Sequence, residues 1–128
     1  MSEQNTSSIS FYLRSNRLHV FVSALKELGS PSRICFLLDK DGNRLLILPY
    51  DKHDFVSHAV PGKLYLGSSS MEIHSQKLCS VIADIHDWDL SKSYRVPDTV
   101  FKDKRAAVYY LAKAVLIDRP EAEELTLG

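Results

Sequence analysis

The chain has 128 residues, with 16 Lys and Arg balanced by 16 Asp and Glu and a sequence pI near 7.0, so its overall charge drives it toward neither nucleic acid nor an acidic membrane. Its 45% hydrophobic and 25% charged residues, with five Gly and five Pro, belong to a globular domain rather than a disordered or fibrous chain, and the length supports one core or two small halves sharing one. No run reaches the ~18 consecutive apolar residues of a membrane span, and Met1 to Ser10 lacks the basic start and apolar stretch of a secretion signal, so a cytoplasmic protein is expected.

Residues 1–8 and 119–128 are polar or acidic and aperiodic, and read as loose ends. From Ile9 the alternation of Ile9, Phe11 and Leu13 with Ser10, Tyr12 and Arg14 predicts a half-buried strand, interrupted at Ser15-Asn16. Phe21, Ala24, Leu25 and Leu28 stand at i, i+3, i+4, i+7 and predict a short amphipathic helix over 18–28, closed by Gly29-Ser30-Pro31. Ile34–Leu38 and Leu45–Leu48 are strand-length apolar runs around Asp39-Lys40-Asp41-Gly42-Asn43, a turn sequence suited to a hairpin. The first half, 9–50, therefore reads β-α-β-β, and Asp51–Gly62 is the junction.

The second half, 63–117, repeats this order. Lys63–Leu66, continued by Met71 and Ile73, is a strand candidate. Leu78, Val81, Ile82 and Ile85 repeat the helical spacing behind Ser75, a suitable N-cap, each 57 positions after its counterpart in the first helix. Tyr94–Val96 with Val100-Phe101, and then Ala106–Ile117, give two further strands about the turn Lys102-Asp103-Lys104-Arg105. The fold class expected is α+β: two β-α-β-β repeats intertwined as a swapped-hairpin or small β-barrel domain.

The segments Ser15–Val20, Ser23–Gly29, Ile34–Asp39 and Asp41–Leu48 resemble the swapped-hairpin unit of the SpoVT/AbrB-like transcriptional regulators, in which a strand with a basic residue near its end leads through a short helix closing in Leu-Gly into a β-hairpin. Val20-Phe21 stands where that family usually carries Ile-Pro. Two such units in one chain resemble the MraZ arrangement. The resemblance implies duplex DNA as partner, admits a homodimer, and sets DNA contacts at the strand-to-helix loop and on the helix, here Arg14, Arg17 and Lys26 with His19 adjacent. Residues 14–33 carry Arg14, Arg17, Lys26 and Arg33 against Glu27 alone, and a local excess of this kind is what phosphate binding requires. A parallel stretch, 92–105, holds Lys92, Arg95, Lys102, Lys104 and Arg105 against Asp98 and Asp103. Arg33, Arg95, Lys102, Lys104 and Arg105 complete the candidate contacts, against which stands a reading of all these cations as solvated strand edges and turns.

Other chemistry has less support. The five histidines show no zinc-site spacing, and Asp39–Asn43 has Tyr50 where a calcium loop needs its twelfth-position Glu. His86-Asp87-Trp88-Asp89 brings imidazole and carboxylates together for acid-base work, with Trp88 closing the helix and filling core as the plainer reading. Cys35 and Cys79 lie in aliphatic runs unsuited to a nucleophile, and the scattered glycines form no phosphate loop. No cofactor and no enzyme activity are expected. A DNA-binding regulator is the leading function, a structural or protein-interaction module on the same scaffold the alternative, and a double-psi barrel enzyme the third.

Overall fold

The computed structural model describes residues 7–52, 54 and 57–117. The expected loose end 119–128 lies outside them, as do 1–6, but Ser8 opens the first strand rather than belonging to a loose end.

Strand β1 (Ser8–Tyr12) buries Ile9 and Phe11 completely. A 3-10 turn over Leu13–Ser15 ends at Asn16 in the left-handed region, φ 56°, which Asn tolerates better than most residues. The chain then re-enters the sheet as β2 (Arg17–Phe21), with Leu18 and Val20 fully buried and Arg17, His19 and Phe21 on the other face. The helix predicted over 18–28 is therefore confined to α1 (Val22–Glu27), and Phe21 belongs to the strand before it. The Gly29 and Ser30 amides close α1 on the carbonyls of Lys26 and Leu25, both at 3.0 Å, with Gly29 at φ 95°.

Strands β3 (Arg33–Leu38) and β4 (Arg44–Pro49) form the expected hairpin. Gly42 sits at φ 73°, and Asp39 Oδ1 accepts the Asn43 and Arg44 amides at 2.7 and 3.1 Å, so the acidic run is a turn held by its own backbone. A short β5 (Ser57–Ala59) follows. Lys63–Leu66 forms a 3-10 turn over Gly62–Leu66 instead of a strand, and β6 (Ser70–His74) carries Met71 and Ile73 into the core.

Ser75 Oγ caps α2 (Gln76–His86) by accepting the Leu78 amide at 3.2 Å. The buried residues of α2 are Cys79, Ile82 and Ala83, while Val81 and Ile85, two of the four predicted face residues, are exposed. Strand β7 (Ser93–Phe101) joins both predicted extended pieces around Pro97. Ala106–Ile117 is not one strand: β8 (Ala106–Tyr110) ends in a 3-10 turn over Leu111–Lys113, and β9 (Val115–Leu116) turns back onto β7.

All strand pairs are antiparallel and run in the order β5-β3-β4-β8-β7-β1-β2-β6, with β9 beside β7. The result is mixed α+β, a curled half-barrel sheet with two helices. Sequence-distant strands make three of the pairs: β4 with β8 and β7 with β1 inside the sheet, and β2 with β6 at its edge. The concave side is filled by Ile9, Phe11, Leu18, Val20, Ile34, Leu45, Ile47 and Tyr109 together with Leu25, Leu28 and Ile82 from the helices. Among the described residues, no helix is long and apolar enough to cross a membrane.

Candidate nucleic-acid interface

The strand registers decide which basic residues meet. Tyr12 lies opposite both Arg17 and Ser93, whereas Ser8 lies opposite Pro97 and Phe21 opposite Ser70. One end of the sheet thus holds the β1–β2 turn and the start of β7. The other holds α1 and the β7–β8 turn, Lys102–Arg105. Because Ile47 pairs with Ala107 and Ile34 with Pro49, the start of β3, with Arg33, belongs to the second end as well.

Lys26, Arg33, Lys102, Lys104 and Arg105 therefore lie toward the end of the sheet where α1 stops, Arg33 on β3 with β4 between it and β8, and Arg14 with Arg17 stands at the opposite end of β2. Lys26, Lys102, Lys104 and Arg105 are exposed, and no ion pair holds any of the five among the described residues. Arg105 Nη2 donates to the Leu28 carbonyl at 3.2 Å, placing a cation at the negative end of α1. Arg33 is half-buried and donates through Nε and Nη2 to Ser57 Oγ at 2.9 and 2.7 Å. Glu27 and Asp103 are the exposed acids of this end, and half-buried Asp98 lies beneath it. Burial, first, and then the charge of Glu27 raise the Asp98 carboxyl above the usual carboxylate range, against a hydrogen bond from Ser7.

At the opposite end Arg17 is already engaged. Arg17 donates to Ser15 Oγ at 2.8 Å, meets Glu72 Oε1 at 3.3 Å and lies over the Tyr12 ring. Glu72 also accepts from His74 at 2.9 Å and sits 3.3 Å from His19 Nε2, a contact close enough for an ion pair but not aligned as a hydrogen bond. The His74 hydrogen bond, then Arg17 and His19, hold the Glu72 carboxyl below its ordinary value. Arg95, exposed on β7 between the two ends, donates to Ser10 Oγ at 3.3 Å. Arg14 is exposed on the 3-10 turn.

The His86–Asp89 run is used structurally. His86 Nε2 lies 2.7 Å from the Gly42 carbonyl, Trp88 stacks on Tyr94 at 4.4 Å and meets Phe11 edge-on, and Asp89 accepts from Ser91 at 2.7 Å. Cys35 and Cys79 are buried free thiols; burial pushes Cys79 up to about 11, far from a reactive thiolate. Among the described residues, no group of three His, Cys, Asp or Glu side chains is disposed to hold a metal ion.

Sequence reasoning found all five cations of the α1 end but as members of two separate stretches. It read Phe21 as a helix-face residue, Val115 and Leu116 as part of one strand and His74 only among the histidines, and gave Glu72 no role, because nothing in the local pattern of β9 or β6 marks these residues as neighbours of β1, β2 and β7. Compared with family models, curated proteins and solved structures, the chain has no match.

Proposed function

We propose that the chain is a cytoplasmic duplex-DNA-binding regulator that holds the phosphate backbone at the end of the sheet where α1 stops. The observation that carries this is the placement of Lys26, Arg33, Lys102, Lys104 and Arg105 toward one end of the sheet in a molecule with no net charge. Phosphate binding depends on such a local excess, and Arg105, held on the Leu28 carbonyl at the C-terminal end of α1, is in place before DNA arrives. Arg14, Arg17, His19 and Arg95 lie outside this patch and serve as secondary contacts at most, Arg17 being already neutralised by Glu72.

The interleaved two-repeat fold belongs to the same proposal. Exchanging β1, β2, α1, β3 and β4 for β5, β6, α2, β7 and β8 turns the β1–β7 pair into β5–β3 and the β3–β4 pair into β7–β8, and maps the β2–β6 and β4–β8 pairs onto themselves, while the β1–β2 pair has no counterpart between β5 and β6. Matching α1 to α2 from their first residues also sets Leu25 and Leu28 against Cys79 and Ile82, buried residues in each case. This alignment differs from the 57-residue offset and explains why Val81 and Ile85 face outward.

The test is a titration of fluorescent duplex fragments by anisotropy between low and moderate salt. The expected result is binding whose log affinity falls with log salt by about 0.9 for each phosphate neutralised. Absence of binding at about 100 μM protein in low salt overturns the proposal.

A protein-interaction module is favoured by one separate observation: Val81, Ile85 and Leu90 are exposed beside half-buried Trp88. Self-association in sedimentation equilibrium that Val81→Asp abolishes, with no duplex binding by either protein, selects that reading.

A further inference from the structure

We infer that the convex face of the sheet carries a binding site for a small organic acid, a carboxylate on an apolar alkyl or aryl body. A hollow of about 600 Å³ opens there between the end of β2 and β9, a volume in the range of small-molecule sites. Its walls include Phe21, Pro97, Val115 and Leu116, and the last two are 62% and 45% exposed, large apolar surface that nothing in the described chain covers.

Two polar groups converge on these walls. Ser8 is 5% exposed, lines the hollow, and its Oγ is buried without a hydrogen-bond partner. A buried hydroxyl left unpaired is costly, and a ligand oxygen at this point removes the cost. Arg95 lines the same hollow and is anchored through Nε to Ser10 Oγ, leaving its terminal nitrogens to donate; among the described residues no carboxylate pairs with it. A planar guanidinium with its edge free matches a carboxylate by two parallel hydrogen bonds.

Asp98 also borders the hollow, but strand alternation sets its side chain on the concave side with Val96 and opposite buried Tyr109, away from Arg95. Ser7 lines the hollow as well, its hydroxyl accepting from Ser23, and Asp98 Oδ2 is buried without a partner on the core side. The charge facing the ligand from Arg95 is therefore positive, Phe21, Pro97, Val115, Leu116 and Ile117 are apolar, and the Ser8 hydroxyl is unsatisfied. This chemistry selects an amphipathic acid over a neutral apolar molecule, which leaves Arg95 desolvated without a partner, and over bare phosphate, which leaves the apolar walls wet.

The full chain is titrated with 4-phenylbutyrate, 4-phenylbutyramide and inorganic phosphate, with backbone amide NMR shifts at Ser8, Arg95 and Leu116 as the readout. The expected result is saturable shifts at these residues with the carboxylate, and affinity for the amide at least about tenfold weaker. Arg95→Gln, an exposed substitution, should erase the preference for the acid while leaving the spectrum otherwise folded; Ser8→Ala provides a second variant that weakens acid binding. The site is overturned by absence of shifts up to about 10 mM acid, equal affinity for acid and amide, or phosphate producing the same shifts as the acid. Shifts at these residues that follow protein concentration with no acid present, reporting a second copy in the hollow, overturn it too. Because the readout lies on the convex face, failure here leaves duplex binding at the α1 end untouched, and the reverse.

Discussion

Arg105, on the turn between β7 and β8, reaches the carbonyl of Leu28 at the end of α1, 77 residues earlier in the chain. One guanidinium thereby links the two basic stretches. Its loss has two separable effects. Arg105→Ala should lower the slope of log affinity against log salt by about one unit and lower stability modestly, by about 1 kcal/mol or less. Lys102→Ala and Lys104→Ala, which release no such contact, should lower the slope alike with no change in thermal midpoint. Equal slopes for all four proteins would show that this turn does not touch DNA.

Asp98 offers a pH-dependent test of packing. Its folded value lies above the ordinary carboxylate range because of burial, so the protonated acid is the form the fold prefers. The stability it contributes is full below the ordinary carboxylate value and is lost as pH rises through the elevated folded value. Asp98→Asn removes that loss. Urea unfolding should find the variant more stable than the parent by up to about 1 kcal/mol at pH 7, with the difference shrinking toward pH 3.5. Comparing the two proteins cancels the opposite trends of Asp39, Glu72 and Asp89, whose hydrogen bonds hold them low. A gap that widens on acidification contradicts the assignment.

Gly42 should resist substitution for two reasons that a mutant cycle separates. Its φ of 73° strains any residue with a side chain, and an added Cβ would stand 2.6 Å from Ile85 Cδ1 and 3.2 Å from its Cγ2. Gly42→Ala is expected to cost roughly 1–3 kcal/mol. In an Ile85→Ala background the clash disappears but the dihedral strain stays, so the cost should fall without reaching zero.

The helix faces are tested by truncation. Leu25→Ala and Ile82→Ala empty fully buried sites and should each cost roughly 2–5 kcal/mol, whereas Val81→Ala on the outer face should cost under about 1 kcal/mol. A large effect at Val81 would place α2 in a different rotation.

Where local pattern and tertiary demand agree, the sequence could be read directly. Ile9 and Phe11 alternate with polar residues because one face of β1 is the apolar core, although Ser8 and Ser10 on the other face are buried too, so the strand is not half-buried as expected, and Leu13 begins the 3-10 turn; the Asp39–Asn43 turn lies between two apolar runs that pair with each other. The helix over 18–28 was misplaced because Phe21, Ala24, Leu25 and Leu28 straddle a strand–helix junction, and a helix of six residues leaves too few turns for its period to outweigh that of β2. Lys63–Leu66 is a short apolar run without a β-branched residue, ambiguous between strand and turn. Ala106–Ile117 looked continuous because its two strands are joined by Leu111, buried like a strand residue although it starts a 3-10 turn. For the candidate interface, Lys26 and Arg105 were both legible as cations, but their meeting depends on the register of β4 with β8 and of β1 with β7, which no local pattern encodes. The hollow around Ser8 was invisible for the same reason, since its walls come from β1, β2, β7 and β9.

The order of the strands also sets a schedule for synthesis. While β1 to β6 leave the ribosome, β1 has β2 on one side only and β4 has β3 on one side only; the partners that cover their other edges, β7 and β8, are made after all of these. The nascent chain must carry two exposed strand edges until Ser93–Tyr110 emerges, and pairing across such sequence distance is slow compared with hairpin closure. A chain stopped before Ser93 cannot hide those edges by itself. During each round of translation the growing polypeptide therefore passes through a stage at which chaperone capture or pairing with a neighbouring nascent copy competes with folding.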